Sequence, residues 1–338
     1  MNGIYGLARR ALFALDPEQS HRLTLGLFAR FPALTTAPFQ CAVQDSPVEL
    51  LGLKFRNRVG LAAGLDKDGE AIEAWDRLGF GFIELGTVTP RPQPGNPTPR
   101  LFRLPKHDAL INRLGFNNHG VDAMVERVRG TRTSAVIGVN IGKNADTPME
   151  RAADDYEHCL RKVYGVAGYV TVNISSPNTK NLRDLQAPEA MGSLLQRVGW
   201  CRKDLEQKHG RRVPIVVKIA PDLSAEALRQ VAAALREHGM DGMIATNTTV
   251  QRPGLASDPR AAEQGGLSGA PLKPLALEAL RQARKAVGRD FPVIGVGGIM
   301  SGADAVERRQ AGADLVQIYT GFIYRGPALI GECARAVA

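Results

Sequence analysis

Tyr169-Val170-Thr171-Val172-Asn173-Ile174-Ser175-Ser176-Pro177-Asn178 is the stretch from which the fold can be read. Its first four residues are β-branched or aromatic, as in a buried strand, and the run then breaks into amides, hydroxyls and a proline. A buried strand that ends this way brings neutral hydrogen-bonding groups and one candidate proton acceptor to a single point. In Pro214-Ile215-Val216-Val217-Lys218-Ile219-Ala220 a lysine sits inside an apolar run, where a charge is costly without a partner. Gly242-Met243-Ile244 leads into Ala245-Thr246-Asn247-Thr248-Thr249. Three strands ending in polar groups place the chemistry on one face of one sheet.

Working outward, short β-rich runs recur at 59–64, 80–89, 135–142, 169–175, 214–220, 242–247, 292–297 and 315–319. Helical periodicity fills the gaps; residues 224–238, for example, carry Ser224 and Glu226 in the first turn and Gly239 as a stop. Apolar strands alternating with helices form a parallel sheet covered on both faces. Eight such units predict a closed (β/α)8 TIM barrel rather than an open doubly wound sheet.

Two stretches exceed a minimal barrel. Residues 90–118 are rich in proline and predict a stiff, non-helical loop over the C-terminal face. About forty residues also precede the first strand. There, 3–15 is periodic and apolar, and Asp16-Pro17-Glu18 reads as an N-cap with proline at the first helical position, opening a second amphipathic helix to about Arg30. The pair fits either a plain cap on the barrel or an in-plane contact with a membrane. Neither helix has the ~20 apolar residues that span a bilayer, and Asp16 interrupts the apolar run too early for a signal peptide.

With 338 residues, 44% hydrophobic and 23% charged, one large globular domain can hold the chain. Cys41, Cys159, Cys201 and Cys333 are far apart, which argues against a disulfide framework, zinc or an iron–sulfur cluster. The formal charge of +9 invites nucleic acid or an anionic membrane, yet no basic block is interleaved with aromatics. Val296-Gly297-Gly298-Ile299 with Ser301-Gly302-Ala303, and Gln317-Ile318-Tyr319-Thr320-Gly321, follow the seventh and eighth strands, where barrels usually bind phosphate; the glycines also suit plain turns. Ala62-Ala63-Gly64 offers a small-residue surface for a flat ring, with Lys67 nearby for an anion.

Together these residues resemble the dihydroorotate dehydrogenase family, in particular its membrane-associated, quinone-dependent class. The motifs are Ala-Gly-Leu-Asp-Lys from 63, Pro-Gly-Asn-Pro from 94, Asn-Arg-Leu-Gly-Phe-Asn from 112, Asn-Ile-Gly-Lys-Asn from 140, Asn-Ile-Ser-Ser-Pro-Asn from 173, Lys-Ile-Ala-Pro-Asp from 218, Thr-Asn-Thr-Thr from 246 and Gly-Gly-Leu-Ser-Gly from 265. The resemblance implies oxidation of (S)-dihydroorotate to orotate in de novo pyrimidine (UMP) biosynthesis. FMN would be held by Ala63, Gly64, Leu65, Asp66, Lys67, Thr87, Asn140, Asn173, Lys218, Thr246, Gly269, Gly298, Tyr319 and Thr320. Substrate would meet Lys67, Asn112, Arg113, Leu114, Gly115, Phe116, Asn173, Asn178, Asn247 and Thr248. Ser176 would be the base, and His21, Arg103 and Tyr319 match positions near a quinone tunnel.

The roles follow from the reaction. A proton leaves C5 and a hydride leaves C6, so a base and flavin N5 must face opposite sides of the ring. Asparagines hold the pyrimidine's amide edges, Lys67 matches its carboxylate, and Lys218 stabilises an anionic reduced flavin. Soluble relatives place cysteine at the base position and lack the extension, so Ser176, the extra residues and the absence of a cysteine cluster favour quinone. The resemblance further implies a helical extension over 1–45 for membrane and quinone, an FMN-binding barrel over 46–338, and a monomer. It implies peripheral attachment at the cytoplasmic face of the cell (inner) membrane, with no metal and no nucleic acid. Rival readings are a flavin-free lyase or aldolase using Lys218 as a Schiff base, a soluble-type dehydrogenase with another acceptor, and a non-catalytic binder relying on basic charge.

Overall fold

A computed structural model describes residues 2–39, 43 and 45–338. Val59–Leu61, Phe82–Val88, Val136–Ile141, Tyr169–Asn173, Ile215–Ile219, Gly242–Ala245, Val293–Val296 and Leu315–Ile318 pair in that order, all parallel, and the eighth closes on the first. Each of the eight expected strands is therefore present, and the barrel is closed.

Side chains alternate along a strand, so every second residue enters the barrel. Phe82, Tyr169, Val216, Ile244, Ile294 and Leu315 form its apolar floor. Glycines make room for the two rings: a Cβ on Gly60 would lie 2.3 Å from Phe82, and one on Gly138 would lie 2.1 Å from Tyr169. Beneath the floor a hairpin, Val48–Leu50 with Leu53–Phe55, turns through Leu51 and Gly52 at φ 56° and 70°. It sets Phe55 edge-on against Phe82, with ring centroids 5.4 Å apart. The sequence reading did not anticipate this hairpin, because three-residue strands leave almost no periodic signal. Above the floor the inward positions turn polar, with Glu84, Lys218 and Gln317 buried at mid-height and Asn173, Thr246 and Tyr319 nearer the C-terminal mouth.

The insertion at 90–118 is not simply a loop. Leu101–Leu104 and Ala109–Asn112 form an antiparallel hairpin turned by Asp108 at φ 45°, and Gly266–Gly269 adds a third strand. The prolines hid it by dominating the flanks, while the eight strand residues carry none.

The first helix covers Asn2–Ala14 and the second Pro17–Arg30, with the Asp16 carboxylate accepting from the backbone N–H groups of Glu18 and Gln19. Polar contacts fasten both helices to the rest of the chain. The Tyr5 hydroxyl donates to the Ile323 carbonyl and Arg9 to that of Tyr324. Arg103 donates to the carbonyls of Leu12, Phe13 and Leu15 at the end of the first helix and lies over the Phe13 ring. Glu18 accepts both arms of Arg100, at 3.0 and 2.7 Å, and the guanidinium holds this buried carboxyl below its usual range. Among the described residues, Cys159, Cys201 and Cys333 are free and buried, and Cys41 lies outside them.

The Glu18–Arg100 pair sets an expectation for stability. Arg100→Leu leaves this buried carboxylate only the exposed Arg22, at 3.3 Å, and should cost about 3 kcal/mol in a denaturant melt at neutral pH. Glu18 is depressed in the fold, so the pair's contribution is present above the ordinary carboxylate range and lost as pH falls through it. The gap between parent and variant should close as the melts are moved below about pH 4. A gap that does not depend on pH would assign the loss to packing instead.

Candidate active site

A cavity of about 960 Å³, open to solvent, occupies the C-terminal mouth of the barrel. After the first strand, Ala62, Ala63 and Gly64 give it a small-residue wall, with Lys67 at the edge. The insertion contributes Asn112, Leu114, Gly115 and Phe116. Strand ends contribute Thr87, Asn173, Ser176, Asn178, Lys218, Thr246, Asn247 and Thr248, and the far wall is Gly269, Gly298, Tyr319 and Thr320. Most residues singled out from the sequence thus meet in one place.

Of the residues expected at flavin and substrate, four do not line it. Leu65 faces a different cavity. Asp66 is fully buried and accepts from the N–H groups of Glu70 and Ala71 and from the Trp75 indole, so it shapes the turn that presents Lys67. Asn140 stands one layer below the wall. Arg113 points outward to Glu263 and over the Phe102 ring. The expected helix start at Gly302 is also otherwise engaged: the Gly302 N–H donates to the Glu332 carboxylate at 2.7 Å, and the Ser301 hydroxyl accepts from Asp304 N–H. Gly297, Gly298, Thr320 and Gly321 are the backbone that remains on the wall. Gly298 has φ 68°, and a Cβ there would lie 2.4 Å from the Cα of Lys273.

The two serines differ. Ser175 is fully buried; its hydroxyl donates to Asn173 Oδ1 at 3.1 Å and accepts from Asn247 Nδ2 at 3.0 Å. Ser176 lines the cavity, and its Oγ accepts only the Asn178 backbone N–H, at 3.2 Å. Asn178 donates to Asn112 Oδ1 at 2.9 Å, and its own Oδ1 is buried without a partner. Burial pulls half-buried Lys67 down to about 8, against the opposing charge of Asp68. Burial also lowers Lys218, whose Nζ lies 3.9 Å from Glu84.

A second, apolar cavity, about 1480 Å³ with its open mouth included, lies between the N-terminal helices and the barrel. His21, Arg103 and Tyr319 all line it, alongside Leu12, Phe13, Leu25 and Phe28. Burial drives the His21 imidazole down to about 3, so it is neutral at working pH, and pushes the Tyr319 phenol up to about 12. Tyr319 lines both cavities.

The family profile described as dihydroorotate dehydrogenase matches residues 46–337. The chain belongs to the dihydroorotate dehydrogenase family. It is 56% identical over 337 residues to a dihydroorotate dehydrogenase (quinone) of Alkalilimnicola ehrlichii, covering 99% of both chains. It is also 56% identical, over 341 residues, to one of Delftia acidovorans, covering 99% of this chain and 98% of that one. The crystal structure of DHODH from Eimeria tenella in complex with ferulenol superposes with a TM-score of 0.88 at 38% identity, over 95% of this chain and 90% of the other. Membership of the dihydroorotate dehydrogenase family sets aside the flavin-free lyase and the non-catalytic binder.

Sequence reasoning passed over several residues that build this dehydrogenase site. Lys218 was legible as a charge in an apolar run, and Phe82-Ile83-Glu84-Leu85 carries the same signal for its partner. Tyr169 and Gln317, which donate to Glu84, read as ordinary strand residues. Arg183 was also missed. Its guanidinium donates to the Ser175 carbonyl at 3.0 Å, to Asp222 at 2.9 Å and to the Thr248 carbonyl at 2.9 Å, tying together the loops after the fourth, fifth and sixth strands. Arg183→Ala should therefore speed amide hydrogen exchange through 174–178 roughly tenfold to a hundredfold, the worth of one or two hydrogen bonds to a charged group. The barrel floor should be unaffected, and unchanged protection of 174–178 would show that the loop is held by other contacts.

Proposed function

We propose that this protein oxidises dihydroorotate to orotate with FMN as its cofactor and passes the electrons to a quinone. The observation that carries the reading is the company kept by Ser176: an otherwise unengaged hydroxyl on a cavity wall with four asparagine amides and two lysines. The residues suit FMN. Ala62, Ala63 and Gly64 leave space for a flat ring, Gly297 and Gly298 admit a close backbone approach, and Gln317 Oε1 is a buried acceptor without a partner, as the imide edge of a flavin requires. Bound FMN supplies the acceptor for the C6 hydride.

Ser176 takes the C5 proton, and the Asn178 N–H at its Oγ eases the charge that gathers on the oxygen. Ser175 is unsuited to that task because both of its hydrogen bonds hold the frame of Asn173 and Asn247. Asn112, Asn173, Asn178 and Asn247 bind the pyrimidine edges, and Lys67 binds the carboxylate.

Residues 1–45 form the quinone-side unit, over the barrel unit of 46–338. The apolar cavity beneath the helices, with neutral His21 on its wall, suits an uncharged ring bearing a greasy tail. Ile4, Leu7, Leu23, Leu27, Phe31 and Leu34 leave an apolar outer surface on this segment, with Arg10, Arg22 and Arg30 exposed beside them. Such a surface supports peripheral attachment to an anionic membrane; the proposal puts the attachment at the cytoplasmic face, with the chain acting as a monomer. No helix among the described residues is long and apolar enough to cross a membrane.

The test is anaerobic addition of dihydroorotate to the purified protein. The flavin band should bleach and should return when a short-chain quinone is added. Ser176→Ala should slow bleaching by roughly 10²–10⁴ while FMN stays bound. Near-normal bleaching by that variant, with Ser175→Ala inactive, would transfer the role to the neighbouring serine.

Lys67 adds a pH dependence. With its value near 8 it is charged at neutral pH and loses that charge as pH rises. The affinity for orotate should hold steady below pH 8 and then fall about tenfold per unit above it. Affinity that stays flat to pH 9.5 would remove Lys67 from carboxylate binding.

A further inference from the structure

Glu84 has no exposed surface and lies at mid-height in the barrel, below the cavity wall. One of its oxygens accepts Asn140 Nδ2 at 2.8 Å; the other accepts the Tyr169 hydroxyl at 2.9 Å and Gln317 Nε2 at 2.7 Å. A carboxylate only accepts hydrogen bonds, whereas an amide has one accepting end and one donating end. Each amide that meets Glu84 must therefore turn its NH2 inward, and its oxygen is committed elsewhere.

The consequence passes upward through the site. With Asn140 so turned, its Oδ1 accepts the Thr87 hydroxyl at 2.6 Å. The Thr87 hydroxyl hydrogen is thereby engaged, so toward Asn173 its oxygen accepts, from Nδ2 at 2.9 Å. Asn173 Oδ1 in turn accepts from the Ser175 N–H, the Ser175 hydroxyl and, at 3.5 Å, Asn247 Nδ2. Asn247 Oδ1 then accepts the Thr248 N–H at 2.8 Å. On the other branch, Gln317 is left with Oε1 buried, without a partner, on a residue of the cavity wall. Lys218 Nζ is 3.9 Å from the carboxylate, too far for a hydrogen bond, and so displaces none of these donors.

We infer that Glu84 is a positioning residue that fixes which ends of Asn173, Asn247 and Gln317 the site offers to its ligands, through a one-way chain of hydrogen bonds from the middle of the barrel to its mouth. The inference rests on the dehydrogenase reading above. It assigns to a residue that touches no ligand the discrimination between donor and acceptor edges of the pyrimidine. Glu84→Gln keeps the size but brings an NH2 of its own. To avoid facing two NH2 groups, Asn140 or Gln317 must flip, and a flip at Asn140 leaves Thr87 free to reverse and Asn173 to follow.

The test is orotate binding to the FMN-loaded protein by titration calorimetry. Glu84→Gln should weaken orotate by tenfold or more when the affinity is counted per bound FMN. The double variant Glu84→Gln/Asn140→Asp moves the carboxylate one step along the chain, where it still accepts from Thr87, and should regain most of the affinity. Thr87→Val cuts the chain with Glu84 intact and should lose orotate to a similar degree, which settles the matter if the first variant does not fold. Parent-like affinity in Glu84→Gln or in Thr87→Val would overturn the inference, as would a double variant that binds no better than the single one. A parent protein that holds no flavin or binds no orotate would instead sink the dehydrogenase reading.

Discussion

Glu84 brings a carboxylate with no exposed surface into the middle of the barrel, and the polar layer around it satisfies that group. Tyr169, Asn140 and Gln317 supply the donors from three other strands, and Lys218 supplies an opposite charge from a fourth. A layer held by such bonds is rigid and cannot slide in register, because a shift of one residue would turn every polar group outward. The mouth above it is therefore built on a fixed platform.

Below that platform the barrel is ordinary. Phe82 and Tyr169 fill the floor over Gly60 and Gly138, and the Val48–Phe55 hairpin closes the end. Stability and chemistry are in this way separated by height along the same strands: apolar inward positions near the strand starts, polar ones near their ends. Arg183 performs at the loops what Glu84 performs within the barrel, holding three strand ends together with one rigid fork of donors.

Much of this was legible in the sequence because a buried parallel strand writes itself as an apolar run, and a polar group that interrupts or ends such a run stands out. Asn173, Ser176, Lys218 and Asn247 were found that way. Glu84 escaped because nothing local says that its partners lie on four other strands. The hairpin of the insertion escaped because prolines crowd its flanks. Asn140 and Asp66 matched the family's pattern yet stand behind the wall, which illustrates that a motif marks a neighbourhood, while contact with the cavity is settled by which way each side chain turns. The gathering of His21, Arg103 and Tyr319 around one cavity depends on how two helices settle on the barrel, and no spacing in the chain encodes that directly.

Among the described residues, the lining of the mouth cavity and that of the cavity beneath the helices have only Tyr319 in common. Changes of bulk or polarity along the helices therefore redraw one compartment and leave the other as it was. If the helices cover the berth of a lipid-soluble electron carrier, a lineage that changes its carrier can adapt by substitutions in this segment, without reworking pyrimidine recognition. By the same division, if the chemistry is done at the mouth, a poison lodged under the helices is open to escape through mutations that leave that cavity unchanged, whereas one seated at the mouth is met by residues that turnover itself needs.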